Sequence, residues 1–275
     1  MVVLEMNVVI ITQNEPLAIP LIIRDILKAK KEIIREVVVV PPFVKTKSMS
    51  GTFKQRFSIF GFDYVFKLGY LRMIMKIKKK LRILNRPSSV EEVCKEYNKK
   101  LLKIDSVNSE EFLDHLRGKD LDLIISLSPP QVFKKKILEI PKFGVINLHG
   151  ALLPNYKGLQ PSFWVLAKGE NLTGCTVHTM DEKIDEGNII VQKVNKINSE
   201  DTQFSIIYKN KKLGAHAVIE AIRLFETGEY RHVAKPMPKG GSYYSFPTKK
   251  DVKTFKNNGK KLLTYRDIKM ILNGW

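Results

Sequence analysis

Asn147 and His149 lie two positions apart in the segment Val145-Ile-Asn-Leu-His-Gly-Ala-Leu-Leu-Pro-Asn-Tyr-Lys-Gly158, and a carboxylate, Asp185, follows in Ile184-Asp-Glu-Gly187. Side chains two apart on a strand share a face, so the amide and the imidazole should project together from the end of the apolar run Phe143 to Leu148. The turn-rich residues after it would leave them at a strand's open end. Such a trio suits attack of an amine on a small activated carbonyl. Asn147 can donate to the oxygen that becomes negative, and one preorganised donor of that kind is worth about 10²–10³ in rate. His149 could take the amine's proton or, as imidazolium, stabilise the oxyanion; Asp185 would orient the ring and raise its pKa. Neither serine nor cysteine sits where a covalent intermediate would need one, which favours direct transfer. Each residue alone has a plainer reading. A buried strand asparagine is commonly a satisfied structural amide, and Asp181, Glu182, Asp185 and Glu186 would make a solvated acidic turn before a strand from Asn188 to Val194. The three types together, in this order, favour the chemical reading.

Asn147-Leu-His149, Leu152-Leu-Pro154, Gly158, Gly174-Cys-Thr-Val-His178 and Ile184-Asp-Glu-Gly187 resemble the formyltransferases that use 10-formyltetrahydrofolate. That family includes methionyl-tRNA formyltransferase, glycinamide ribonucleotide formyltransferase and the N-formyltransferases of nucleotide-linked amino sugars. The resemblance is strongest from Leu121 to Phe225. It implies that the catalytic trio falls on Asn147, His149 and Asp185. It further implies that the folate is a co-substrate whose pterin is gripped, largely through main-chain groups, by Gln131, Val132 and Phe133 and by Met180, Asp181 and Ile184. Gly150-Ala151 replaces the Pro/Gly-Ser that commonly follows the histidine, so a hydroxyl often found there is missing. His178 would share a strand face with Thr176 and Met180, as a wall residue near the site. His115, His216 and His232 fall in helical or connecting segments, and no metal-ligand arrangement emerges. Cys94 and Cys175 lack the C-x-x-C spacing of zinc or redox sites.

The elements that must position these residues follow βαβ grammar. Asn7 to Ile11 and Glu36 to Val40 are β-rich runs flanking a helical pattern from Leu17 to Lys30. Leu101 to Ile104 and Leu121 to Leu127 read as further strands around a helix from Ser109 to Arg117, and Phe133 to Glu139 suits a helix before the strand that carries Asn147. The fold class expected is α/β: an open, mostly parallel Rossmann-like sheet flanked by helices, with a short C-terminal extension. Such sheets bind ligands beyond the carboxyl ends of their strands. Thr12-Gln-Asn-Glu-Pro16 after the first strand carries no glycine-rich fingerprint, which disfavours nicotinamide cofactors and weakens the glycinamide ribonucleotide branch of the resemblance. A long helix is expected from Asp201 to Leu224, then a basic helix from Lys249 to Asn257 and another from Tyr265 to Leu272.

A catalytic domain is expected over 1–228 with a basic helical insertion at about 45–86, followed by an extension over 229–275. Within the insertion, Phe60, Tyr64, Leu68, Leu71 and Met75 recur at helical spacing, and charges at Asp63, Lys67 and Arg72 interrupt any span of the length a membrane crossing needs. The helix is expected to pack on the sheet with its basic end in water; membrane-surface or RNA contact is the alternative. The net charge of +19 predicts attraction to polyanions or anionic substrates, or reflects lysine-rich composition with solvated faces. Met1 to Asn7 shows no secretory pattern, and few cysteines fit the cytoplasm. The acceptor expected is the primary amine of a small, anionic molecule such as a nucleotide-linked amino sugar. tRNA is the runner-up, because the tail looks too short for the C-terminal barrel of the tRNA enzymes. A formate-releasing hydrolase and a non-catalytic nucleic-acid-binding relative are further alternatives. Composition leaves the oligomeric state open.

Overall fold

A computed structural model describes residues 5–41 and 57–275; the polar stretch expected from Lys45 to Arg56 lies outside the described residues. Its centre is a seven-stranded sheet. Strands β1 (Val8–Gln13), β2 (Ile34–Val40), β3 (Lys100–Lys103), β4 (Leu123–Leu127) and β5 (Val145–His149) run parallel in the order β3-β2-β1-β4-β5. A two-residue strand, β6 (Lys157–Gly158), lies outside this sheet. The sheet continues antiparallel through β7 (Leu172–Thr179) and β8 (Ile189–Lys196). Val8 to Ile11 and all of β4 are buried, as expected of parallel strands covered on both faces.

One face is covered by α1 (Ile19–Lys30), by the edge-covering α3 (Val90–Glu96) and by a long helix, α7 (Gln203–Glu226); the other by α4 (Glu110–Arg117) and α5 (Lys135–Leu138). Helix α3 falls between the expected elements. Its signal is the Ser89 cap, whose hydroxyl accepts from Glu92 N, with Glu91 and Glu92 in the first turn. Helix α7 opens with a capping box between Thr202 and Ser205. The same device opens the two tail helices expected from sequence, α9 (Lys249–Asn257) on Thr248 and Asp251, and α10 (Tyr265–Asn273) on Thr264 and Asp267.

Helix α2 (Phe62–Lys80) buries Leu68, Leu71 and Met75, as its spacing predicts. It does not pack on the sheet, whose faces are already covered. Its buried stripe meets Ala18 and Leu21 at α1, Tyr208 of α7, and Ile268 and Ile271 of α10. Fully burying a side chain such as Leu71 is worth about 1.5–3 kcal/mol, and three of them hold the helix to this helical layer. Arg86, just beyond, is buried and donates to the carbonyls of Pro16 (2.7 Å), Leu17 (2.7 Å) and Ile271 (3.0 Å), tying the β1–α1 turn to α10. Further pieces are α6 (Pro161–Ala167), the single turn α8 (Tyr230–Val233) and β9 (Tyr243–Tyr244), which pairs in parallel with β6.

Candidate active site

The chain reverses its direction of sheet growth between β1 and β4, and in open α/β sheets ligands bind at the carboxyl ends of strands beside such a switch. A cavity of about 810 Å³ lies there. Asn147 and His149, both buried, stand at the carboxyl end of β5 and line it together, as their spacing predicts. Asp185 reaches it from the loop after β7 with a positive φ of 55°, a left-handed conformation that aspartate tolerates better than most residues. Gly187 completes that loop. A Cβ there would lie 1.8 Å from Thr179 O, so only glycine lets the chain pass so close to β7.

Asp185 lies between two imidazoles. Its Oδ2 is 3.5 Å from His149 Nδ1 and its Oδ1 is 3.5 Å from His178 Nε2, and Oδ2 also accepts from Gly158 N at 2.8 Å. The other nitrogen of each ring donates to a main-chain carbonyl: His149 Nε2 to Tyr156 O, and His178 Nδ1 to Thr179 O, both at 2.8 Å. A carbonyl only accepts, so each of those nitrogens carries a proton, and in each ring the nitrogen turned toward Asp185 is the one free to bind another. His178 thus belongs to the cluster rather than to its outer wall. Asn147 Nδ2 donates to His178 Nε2 at 3.3 Å. The antiparallel register places Asn147 directly opposite His178, so their side chains share a face.

The electrostatics differ from the expectation in one respect. Burial disfavours the charged ring of His149 and outweighs the Asp185 carboxylate, so the pKa of His149 lies below its ordinary value, not above it. Burial works against the charge of Asp185 as well. There the contact with His178, the charge of His149 and the Gly158 N–H win, and hold the carboxyl at about 2.

The other residues expected to touch a pterin are distributed around the same cavity. Gln131, Val132, Phe133, Met180, Asp181 and Ile184 all line it. The side chain of Gln131 is committed elsewhere, accepting from Val107 N at 3.0 Å and donating to Asp105 O at 2.8 Å; Phe133 is buried in the core. Val132 and Ile184 are exposed at the rim.

Sequence reasoning missed three parts of the wall. Tyr64, Leu68 and Arg72 of α2 line the cavity, as do Tyr243 and Phe246 of the tail. The tail is brought there by β6 and β9. Gly158 has a φ of 89° and a Cβ on it would meet Tyr244 O at 2.4 Å. Tyr244 stacks on Trp164, with ring centroids 4.7 Å apart. Glu15, after β1, is the third part. Its carboxylate accepts from Leu17 N (2.7 Å), Ala18 N (3.1 Å) and Ile19 N (3.4 Å) and faces Lys211 at 3.5 Å, so a carboxylate of the chain itself fills the anion position at the start of α1. Burial opposes the charge of Glu15, but Lys211 and these N–H groups prevail and lower its pKa.

Comparison with known proteins agrees with this architecture. The methionyl-tRNA formyltransferase of Halothermothrix orenii is 36% identical over 143 residues, 52% of this chain and 45% of that protein. The chain spans about half the length of the curated relatives it matches. Among solved structures, the phosphoribosylglycinamide formyltransferase of Anaplasma phagocytophilum superposes with a TM-score of 0.59 at 15% identity, covering 88% of this chain and 100% of that one. The N-formyltransferase of Helicobacter canadensis, solved with folinic acid and dTDP-3-aminofucose, superposes with a TM-score of 0.55 at 19% identity, covering 87% and 71%. At these identities the solved structures speak for the fold alone. The model of the family described as Formyl transferase matches residues 70–222, more than half of the sequence and all of the cluster around Asp185, and the chain belongs to that family.

Proposed function

We propose that the protein moves a formyl group from 10-formyltetrahydrofolate to the primary amine of a small, anionic acceptor, with nucleotide-linked amino sugars as the favoured class. The observation that carries this reading is the convergence of Asn147, His149 and Asp185 on one cavity at the carboxyl end of β5. When bound, the folate supplies the activated formyl carbon. The cavity fits such a guest: about 810 Å³ is within the range of small-molecule sites, and Asn147 Oδ1 is buried without a hydrogen-bond partner. A buried orphan acceptor costs about 1–3 kcal/mol, which an incoming N–H donor would relieve. The second N–H of Asn147 is free to meet the oxygen on which negative charge develops. His149 Nδ1 takes the proton that the attacking amine loses, and Asp185 stabilises the imidazolium so formed. The low pKa of His149 keeps the ring neutral, and so able to accept, at neutral pH. Met180, Asp181, Ile184, Val132 and the main chain at Gln131 and Phe133 would hold the pterin.

Glu15 bears on the acceptor. Where a phosphate would otherwise meet the N–H groups of α1, this chain places a carboxylate, which argues against an acceptor phosphate at that turn and hence against the glycinamide ribonucleotide class. Methionyl-tRNA is the second reading, favoured by the 36% identity to the Halothermothrix orenii enzyme. Incubation of the purified protein with 10-formyltetrahydrofolate and a panel of amines tests both, following tetrahydrofolate release together with the formylated product. Formylated nucleotide-linked amino sugar is the expected product. Formylation confined to methionyl initiator tRNA would transfer the assignment to the second reading, and formate release with every amine would sink both.

A further inference from the structure

We infer that α2 is a membrane-surface helix that seats the protein on anionic lipid bilayers. This rests on the helix alone and is independent of the formyl-transfer reading. One stripe of α2, Leu68, Leu71 and Met75, is already buried in the body of the protein. A second stripe, Phe62, Phe66, Tyr70, Met73 and Ile77, with Leu81 just beyond the helix, repeats at intervals of three and four residues and is exposed at every position, by 68%, 53%, 37%, 51%, 45% and 61%. At 3.6 residues per turn these side chains make one continuous row on the side of the helix turned away from the buried stripe. Isolated exposed apolar residues need no explanation, but a contiguous row of large ones marks a surface that meets something apolar.

The charges beside the row say what that is. Arg72, Lys76, Lys80 and Arg82 are exposed along and beyond the same helix. The single acidic residue of α2, Asp63, is held by Lys67 at 2.8 Å. An apolar row edged with lysine and arginine suits the boundary between acyl chains and anionic headgroups: the rings and aliphatic chains sink in, and the long basic side chains reach up to phosphate. A second copy of the chain would set two bodies of net charge +19 against each other. Nucleic acid would answer the lysines but gain nothing from Met73, Ile77 and Leu81. No helix among the described residues is long and apolar enough to cross a membrane, so the contact lies in the plane of the surface. Because Tyr64, Leu68 and Arg72 also wall the cavity, docking would bring the cavity close to the bilayer.

Cosedimentation with vesicles of phosphatidylcholine alone, and of phosphatidylcholine mixed with phosphatidylglycerol, tests the inference. The protein should partition onto the mixed vesicles at least about tenfold more strongly than onto the neutral ones, with binding that weakens as salt rises. The triple variant Phe66→Ser, Met73→Ser, Ile77→Ser should lose about tenfold or more of the binding to mixed vesicles, and Lys76→Gln, Lys80→Gln, Arg82→Gln should abolish the preference for them. All six side chains are exposed, and an unchanged melting temperature with unchanged circular dichroism would show that the variants fold. Full binding by the serine variant would reduce the contact to adsorption of a polycation and overturn the inference. It would equally be overturned by absence of vesicle binding, whether accompanied by self-association or by tRNA binding that the serine changes abolish.

Discussion

Burial lowers the pKa of His149 even though a carboxylate stands 3.5 Å from its Nδ1, and the balance of these two effects sets what the ring can do. Asp185→Asn removes the favourable part of that balance. The pKa of His149 should then fall further, readable from the imidazole resonances in an NMR titration; an unmoved titration would remove Asp185 from the pair. Turnover should fall by about two or more orders of magnitude in Asn147→Ala, which removes the proposed transition-state donor, and in His149→Ala, which removes the proposed base. Near wild-type rates in either would contradict the roles given to them. The same groups fix a stability profile. The folded protein resists protonating His149, while the unfolded chain takes that proton near the ordinary value of 6.5, so stability should decline as pH falls below about 6.5. Asp185 acts at lower pH. Its contribution is complete above its ordinary value of 3.8 and is lost as pH falls toward about 2. Chemical denaturation at pH 7 and pH 5 should show a smaller loss for His149→Gln than for wild type.

At the scale of elements, what was legible depended on whether its cause is local. Asn147 and His149 were readable as a pair because strand periodicity alone puts them on one face, and α7, α9 and α10 were readable as helices from their own stretches of sequence; the capping boxes on Thr202, Thr248 and Thr264 that open them are a finding of the structure. The place of His178 in the cluster was not, because it depends on the β5–β7 register, which no stretch of either strand encodes by itself. Nor was the meeting of Lys157–Gly158 with Tyr243–Tyr244, residues far apart in the chain whose pairing brings the tail over the cavity. Gly158 shows how much hangs on that contact. Gly158→Ala would force a side chain into a left-handed backbone and against Tyr244 O, and should displace both the tail and the N–H that holds Asp185. Faster proteolysis after residue 228 together with reduced turnover is expected, and an alanine variant as active and as protease-resistant as wild type would contradict it. Arg86→Ala should cost about 3 kcal/mol or more, since it leaves buried carbonyls on the β1–α1 turn and α10 without their donor; urea unfolding measures it.

The whole molecule carries a net charge of +19, which neither the cavity nor the fold requires. Local pairs absorb part of it. Lys209 holds Asp201 at 2.6 Å, and the buried carboxylate of Glu36 is met by His115 at 2.8 Å and Lys119 at 3.4 Å. The excess of basic side chains is left to repel itself across the surface, a penalty that the folded state bears more heavily than the expanded one. Added salt therefore has opposing effects. It weakens exposed ion pairs, each worth about 0–1 kcal/mol, and it screens a repulsion that grows with the net excess. With 47 basic against 28 acidic residues the second effect should prevail. Screening shortens from about 30 Å at 0.01 M to about 8 Å at 0.15 M salt, so the melting temperature should rise by a few degrees across that interval and then level off. A fall over the same interval, followed by calorimetry in sodium chloride, would mean that the ion pairs outweigh the repulsion and that the positive surface is compensated within the protein itself.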